Sequence, residues 1–372
     1  MIPIANPDVG DAEIDAVRDV IESGQLADGP AVREFEDAFA SLCGTDHAVA
    51  TTNGTTALHA TFEALGVGAG DAVVTTPFSF VASANAIRLA GAEPVFADIH
   101  PETLTIDPAA VAELLAARDD VAAVLPVHLY GMPAEMDSLR RLTDAHDVAL
   151  VEDAAQAHGA RYQGEVVGSI GDAGCFSFYP TKNATSAEGG MVTTDDADLA
   201  DRVRRFCDHG RTSGYEHAEV GHNFRMTSVC AAIGRVQLDR LPSFNVARRG
   251  NAAYLTDRLA DTSVETPAER SGIRPAYHQY TIRTDERDAL ADHLEARGVG
   301  SKVYYPTPIH EQPAYAGYDA DLPIAERAAE RVLSLPVHPG LSVADLREIA
   351  RAVETFDAEP EAPTPEPEVL DS

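Results

Sequence analysis

Lysine is almost absent from this sequence of 372 residues. Of the 28 basic residues only Lys182 and Lys302 are lysines, whereas aspartate and glutamate together number 60. Any reaction that needs a lysine side chain therefore has two candidates. The formal net charge of -32 would repel nucleic acids and anionic membranes, so we exclude both as main partners. An acidic, lysine-poor surface suits a salt-rich cytoplasm, and we expect a halophilic protein.

Long apolar runs and closely spaced cysteines are missing too. No stretch approaches the roughly 20 apolar residues of a membrane-spanning helix. The first residues show no basic region followed by an apolar block, so we expect no signal peptide. The cysteines are widely scattered, without the close pairing of a metal site: Cys43, Cys175, Cys207 and Cys230. We therefore expect no metal, reduced thiols and a cytoplasmic location.

Short apolar runs alternate with helical patterns between His47 and about Asp153. This alternation predicts an α/β fold with a mainly parallel sheet that helices cover on both faces. Ligands of such sheets bind at the carboxyl ends of the strands. Polar clusters follow three of the predicted strands, at residues 52–56, 77–80 and 152–156, and the site is expected there.

We divide the chain into a large domain, residues 1–245, and a smaller α+β domain, residues 246–357. The smaller domain is predicted to contain a strand at Tyr277–Arg283 and helices at Arg287–Ala296 and Val343–Phe356. Residues 358–372 are rich in proline and glutamate with little to bury, which predicts a disordered acidic tail.

The segment around Lys182 is the most informative part of the chain. Lys182 follows a short apolar run, with the hydroxyl of Ser177 five residues earlier and the pair Gly189-Gly190 just beyond. A lysine that binds an aldehyde cofactor needs a positioned amine, closely approaching backbone and a nearby phosphate anchor. A surface lysine in a loop is the alternative, but the scarcity of lysine favours the functional interpretation.

Several blocks, in order and at similar spacing, resemble the DegT/DnrJ/EryC1/StrS family of sugar aminotransferases. They are Asn53–Leu65, Pro77–Ile87, Val127–Gly131, Glu152–Ala160, Phe176–Gly190, Gly221–Leu238 and Val303–Tyr315. The resemblance implies the fold of aspartate aminotransferase, with pyridoxal phosphate (PLP) bound in the large domain. It also implies transfer of an amino group from an amino acid, by resemblance glutamate, to C3 or C4 of a nucleotide-linked keto hexose. The product would be an amino sugar for a surface polysaccharide or glycan.

By this resemblance Lys182 is the Schiff-base lysine and proton carrier, and Asp153 binds the pyridine nitrogen. Taken alone, Asp153 also fits a helix N-cap. Gln156 is expected at the ring hydroxyl. Phe80 is expected over the ring face, unless it is a core aromatic.

The phosphate is expected at a helix N-terminus formed by Gly54, Thr55 and Thr56, with the hydroxyl of Ser177. The two threonines also fit simple helix caps. In the family the position of Asn223 reaches the cofactor phosphate of the neighbouring subunit, which implies a homodimer with shared active sites.

The sequence gives less information about the residues that face the substrate. His209 and His310 lie in blocks that face the sugar in relatives, although a lone histidine is usually structural or exposed. The segment from Tyr304 to Pro313 resembles relatives that aminate C3. A PLP-dependent sugar dehydratase is an alternative, but such relatives have histidine in place of Lys182. A sugar-sensing regulator without turnover, or an aminotransferase for free amino acids or an inositol ketone, remains open.

Overall fold

Helices and strands alternate through most of the chain. The computed structural model describes residues 1–358 except Glu269 and Asp319. Its helices are Asp11–Ser23 (α1), Pro30–Cys43 (α2), Gly54–Leu65 (α3), Ala82–Leu89 (α4), Pro108–Ala117 (α5), Met136–His146 (α6), Ala197–Cys207 (α7), Ser228–Leu259 (α8), Arg287–Ala296 (α9), Pro323–Arg331 (α10) and Val343–Ala358 (α11). Its strands are His47–Thr51 (β1), Ala72–Thr75 (β2), Glu93–Phe96 (β3), Val121–Leu125 (β4), Ala149–Asp153 (β5), Arg161–Tyr162 (β6), Glu165–Val166 (β7), Ala173–Ser177 (β8), Gly190–Thr194 (β9), Arg211–Ser213 (β10), Glu216–His217 (β11), Ile273–Arg274 (β12), Tyr280–Arg283 (β13) and Val332–Leu335 (β14).

The central sheet has the strand order β1-β9-β8-β5-β4-β2-β3, with seven strands among the described residues. Within it, β9 runs antiparallel to both of its neighbours, and the other pairs are parallel. The carboxyl ends of β1, β2, β5 and β8 therefore meet at one edge. This confirms the predicted α/β fold with a mainly parallel sheet, and places the predicted polar clusters together.

Both faces of the sheet are buried, as the uninterrupted apolar runs predict. Successive side chains of a strand point to opposite faces. Val73 and Val74 of β2 are both fully buried, but Val74 belongs to one hydrophobic core and Val73 to the other. Burial of such a side chain contributes about 1.5–3 kcal/mol relative to leaving it exposed. Helices on both faces thus fix the sheet rigidly under the candidate site.

Helix α8 joins the large core to a second one. Its N-cap is Thr227, whose hydroxyl accepts a hydrogen bond from the Cys230 amide at 3.2 Å. Leu241 packs in the core beneath the central sheet, whereas Leu255 packs in the C-terminal core with strands β13 and β14 and helices α9 and α11. The predicted boundary between residues 245 and 246 falls inside this helix, and the division into two domains stays a prediction.

Two further predictions concern membrane-spanning helices and the C-terminal tail. Within residues 1–358, leaving aside the two positions not described, no helix has the length and apolar character needed to cross a bilayer. The tail predicted at residues 358–372 lies outside the described residues, except for Ala358, which ends α11.

Candidate active site

Asp153 ends β5 at the carboxyl edge of the sheet. Its side chain is buried, its Oδ2 accepts a hydrogen bond from Ser83 Oγ at 2.7 Å, and its Oδ1 accepts one from the Ala155 amide at 3.2 Å. Burial raises the pKa of Asp153, while the Ser83 hydrogen bond and the charge of Lys182 act in the opposite direction. Residues 154–160 form turns rather than a helix, so the alternative role of Asp153 as a helix cap is wrong.

The neighbouring carboxylate, Glu152, serves the structure instead. It is fully buried and accepts hydrogen bonds from the amides of Gly168, Ile170 and Gly171 at 2.7 to 2.8 Å. His128 Nε2 lies 2.9 Å from its Oε2. Because alternate side chains of β5 point to opposite faces, Glu152 holds the loop after β7 and leaves Asp153 facing the site.

Lys182 lies on the connection between β8 and β9. It is partly buried, and its amide donates to the Tyr179 carbonyl at 2.9 Å. Burial lowers the pKa of Lys182 to about 8, and the charge of Asp153 opposes that shift. A lowered pKa makes the neutral, nucleophilic amine more abundant near neutral pH. Lys302, the other lysine, is exposed, and its Nζ lies 5.2 Å from the Tyr304 ring.

Gln156 links the sheet to the C-terminal part of the chain. Its Oε1 accepts a hydrogen bond from the Tyr130 amide at 2.6 Å, and its Nε2 donates to the Tyr305 hydroxyl at 3.1 Å. The Tyr305 ring lies 6.0 Å from the ring of Phe80. Phe80 is 57% exposed, so it is not a core aromatic, and its ring is free to cover a bound group.

Sequence reasoning assigned no role to Ser83 or Tyr305. Ser83 lies in the block Pro77–Ile87 and Tyr305 in the block Val303–Tyr315, both of which the family resemblance marks. The sequence therefore indicated that both segments contribute to the site, but not which residue of each does so. Which side chain of each block faces Asp153 or Gln156 follows only from the packing of distant segments.

The N-terminus of α3 meets Ser177 at the end of β8. A Cβ on Gly54 would lie 2.8 Å from Ser177 Cβ, so glycine permits this close approach. The N-cap is Asn53, whose Oδ1 accepts from the Thr56 amide at 2.9 Å while Thr56 Oγ1 accepts from the Asn53 amide at 3.1 Å. The amide and the hydroxyl of Thr56 are thus both hydrogen-bonded within the cap. A phosphate would therefore find more available donors at Gly54, Thr55 and Ser177 than at Thr56.

Asn223 and His209 lie on adjacent segments at the surface. Both are exposed, and the His209 amide donates to the His222 carbonyl at 2.8 Å. The Arg225 guanidinium forms an ion pair with the Asp208 carboxylate on the segment next to His209. An exposed Asn223 is accessible to a second subunit.

His310 is buried away from solvent. Its Nε2 lies 3.2 Å from Glu326 Oε1 of α10, and the preceding amide, of Ile309, donates to the Pro77 carbonyl at 2.8 Å. The backbone at His310 therefore adjoins the polar cluster at residues 77–80, whereas its side chain contacts α10. These contacts favour a structural role for His310 over direct contact with a sugar.

The residues at this edge fit PLP. Asp153 offers a buried carboxylate to a pyridine nitrogen, Lys182 an amine of lowered pKa, and Phe80 an exposed ring for stacking. The helix N-terminus at Gly54 offers amides to a phosphate.

Comparison with known proteins agrees with this arrangement. The profile of the DegT/DnrJ/EryC1/StrS aminotransferase family matches residues 7–354. The dTDP-3-amino-3,4,6-trideoxy-alpha-D-glucose transaminase of Streptomyces venezuelae is 42% identical over 336 residues, 89% of this chain and 88% of that one. The UDP-N-acetyl-3-dehydro-alpha-D-glucosamine 3-aminotransferase of Acidithiobacillus ferrooxidans is 37% identical over 336 residues, 90% of each chain. The crystal structure of S. venezuelae DesV in complex with a ketimine intermediate superposes with a TM-score of 0.91 at 40% identity, covering 94% of this chain and 95% of that one. The chain belongs to the DegT/DnrJ/EryC1/StrS aminotransferase family.

Proposed function

We propose that this protein is a PLP-dependent aminotransferase that moves an amino group from glutamate to the keto group of a nucleotide-linked hexose. The observation that carries the proposal is that Lys182 and Asp153 both lie at the carboxyl edge of the sheet, near enough for the charge of each to shift the pKa of the other. PLP, when bound, supplies a ring that withdraws electrons from the carbon losing its proton. A solved relative of the same fold is a PLP form.

The side chains of this chain have separate tasks in that reaction. Lys182 Nζ would bind the cofactor, and, once an amino donor has displaced it, carry the proton between the donor carbon and the cofactor. Asp153 would hold the ring nitrogen, and the hydrogen bond from Ser83 favours the ionised carboxylate that this role needs. Gly54, Thr55 and Ser177 would hold the phosphate. Gln156, fixed by Tyr130 and Tyr305, would orient the ring hydroxyl.

The position that receives the amino group is proposed to be C3. The names of the S. venezuelae and A. ferrooxidans relatives both specify position 3 of the sugar. The segment that begins at Tyr304 lies against Gln156 through Tyr305, so it borders the place where an acceptor must meet the cofactor. We propose that the product is an amino sugar for a surface polysaccharide or a glycan.

The working enzyme is proposed to be a cytoplasmic homodimer. Asn223 is exposed on a loop, and by family resemblance this position reaches the cofactor phosphate of the neighbouring subunit. The four cysteines are free thiols, three of them buried, which suits a reducing compartment.

An absorbance spectrum tests the proposal. The purified protein with PLP should show the visible band of lysine-bound cofactor, and glutamate should remove it. A band that returns on adding a nucleotide-linked 3-keto hexose, but not the 4-keto isomer, supports amination at C3. A band that no amino acid removes would argue for a regulator without turnover and against an aminotransferase.

A further inference from the structure

Asn183, the residue after Lys182, is anchored to two distant parts of the chain. Its side chain is buried, and its Nδ2 donates to Asn245 Oδ1 of α8 and to the Ala276 carbonyl, both at 2.9 Å. A carbonyl only accepts hydrogen bonds, so the contact with Ala276 fixes which end of the amide is the donor. The other end, Oδ1, lies 3.3 Å from His278 Nδ1. Burial lowers the pKa of His278 well below its usual value, so the neutral ring donates its N–H from Nδ1 to this oxygen.

Asn245 extends the anchor to the segment that follows Asp153. Its Nδ2 donates to the His158 carbonyl at 2.7 Å, and its oxygen is therefore the end that accepts from Asn183. His158 lies in the turns at residues 154–160, which begin directly after Asp153 at the end of β5. Two buried side-chain amides thus join the segment of the reactive lysine to the segment of the carboxylate.

The connection that carries Lys182 needs such an anchor. Residues 178–189 lie outside the helices and strands, so no ladder of main-chain hydrogen bonds holds Lys182. Its amide donates to the Tyr179 carbonyl within the same connection, which shapes the loop without placing it against the rest of the fold. The Asn183 side chain does place it, because its partners belong to other segments. Adjacent Cα atoms are only about 3.8 Å apart, so fixing Asn183 restricts where the amine of Lys182 can reach.

We propose that Asn183 is a positioning residue that, through Asn245, holds the Lys182 amine beside Asp153. This inference rests on the proposed role of Lys182 in binding the cofactor. A displacement of about 1 Å at a reacting group can slow a reaction roughly 100-fold, so the rate of cofactor attachment depends on this anchor. Asn183 is buried and acts through the placement of Lys182.

The rate of PLP attachment to the full-length protein tests the role of Asn183. Stopped-flow absorbance would follow the visible band over a range of pH, in wild type and in Asn183→Ala. Above the Lys182 pKa of about 8 the amine is neutral, so the plateau rate reports where the amine lies, whereas the midpoint of the profile reports its pKa. The plateau of Asn183→Ala should be lower than that of wild type by roughly 10- to 100-fold.

Asn251→Ala is the matched control. Asn251 is a buried residue of α8, and its Nδ2 donates to the carbonyls of Val337 and His338 at 3.3 and 3.1 Å. Each variant removes a buried amide that donates to main chain, so both should lower the melting temperature. Only Asn183→Ala should lower the plateau rate. Equal plateaus in the two variants overturn the proposal, because a role in stability alone predicts that result.

Asn245→Ala covers the case in which Asn183→Ala fails to fold. It removes the acceptor on α8 and keeps the Asn183 side chain, so its plateau should fall below that of Asn251→Ala. A plateau as high as that of Asn251→Ala overturns the proposal. Wild-type protein that shows no visible band with PLP would overturn the proposed function as well. A normal wild-type band with equal plateaus in the variants leaves that function intact.

Discussion

The hydroxyl of Ser83 donates to Oδ2 of Asp153 at 2.7 Å, and the two residues lie 70 positions apart in the chain. This hydrogen bond favours the ionised carboxylate against the effect of burial, which raises the pKa of Asp153. Ser83→Ala should therefore raise the Asp153 pKa and move the acidic limb of the pH–rate profile to higher pH. A hydrogen bond to a charged group contributes about 1.5–3 kcal/mol, so amino transfer should slow by roughly 10- to 100-fold.

The matched control for Ser83→Ala is Ser79→Ala. Ser79 Oγ lies 3.0 Å from Ser83 Oγ and has no hydrogen bond to Asp153 among the described contacts. Its removal should leave the acidic limb in place. An acidic limb that is the same in Ser83→Ala and wild type would contradict the role given to Ser83.

Lys182→Ala should abolish the visible absorbance of lysine-bound PLP and stop amino transfer. In the wild type, attachment of PLP should speed up as the pH rises through about 8, because only the neutral amine attacks. Stopped-flow absorbance measures both properties. Lys302→Ala removes the other lysine, which is exposed, and should bind PLP like wild type. Turnover by Lys182→Ala would transfer the catalytic role to Lys302.

Tyr305→Phe keeps the ring beside Phe80 and removes the hydroxyl that accepts from Gln156 at 3.1 Å. A neutral hydrogen bond contributes about 0.5–1.5 kcal/mol, so PLP affinity should fall by roughly 2- to 10-fold. An absorbance titration measures it. Tyr304→Phe is the control, since Tyr304 contacts Tyr130 through its backbone oxygen. Equal affinities in the two variants would remove Tyr305 from the site.

Gly54→Ala should weaken PLP binding through steric conflict. The new Cβ would lie 2.8 Å from Ser177 Cβ, closer than atoms pack, and overpacking of this kind costs about 1–3 kcal/mol. Gly250→Ala adds the same methyl group to α8 where nothing lies within 4 Å. That control should bind PLP normally and gain up to about 1 kcal/mol in stability from helix propensity. Normal PLP binding by Gly54→Ala would argue against a phosphate at this helix N-terminus.

The melting temperature should rise with potassium chloride concentration. A net charge of -32 destabilises the folded chain through self-repulsion, and salt screens that repulsion. Calorimetry in dilute and molar salt measures the change. Sucrose strengthens burial without screening charge, so it should raise the melting temperature much less. Equal melting temperatures in dilute and molar potassium chloride would refute the expected adaptation to salt.

Local pattern was enough for much of the fold. Two of the alternating segments predicted between His47 and Asp153 match the structure in full. The apolar run Val121–Leu125 is β4, and the helical pattern Pro108–Ala117, with proline at its first helical position, is α5. A strand buried on both faces, such as β4, can be predicted locally because it contains no polar residue. A helix such as α5 can be predicted locally because proline marks its start. The Lys182 and Asp153 assignments came from family resemblance, supported by their positions after apolar runs.

The remaining features depend on contacts between distant segments. Gln156 and Tyr305 are 149 positions apart, and no periodicity relates them. The exposure of Phe80 was undecided because aromatic residues in short loops occur both in cores and in sites. Thr56 forms a capping box with Asn53, because the Asn53 side chain accepts a hydrogen bond from the Thr56 amide. That amide is one that a phosphate at the helix N-terminus would otherwise use.

The antiparallel direction of β9 relative to β8 constrains the segment that carries the Lys182 amine. Residues 178–189 connect two hydrogen-bonded neighbours, and the connection closes with the Phe178 amide donating to the Gly189 carbonyl at 2.8 Å. Parallel neighbours would need a long crossover and would leave this segment far less constrained. Lys182 is thus tethered from both sides by main chain, whereas Tyr305 arrives from a separate part of the polypeptide. In the proposed enzyme, substitutions around Tyr305 would change acceptor preference without moving the amine of Lys182.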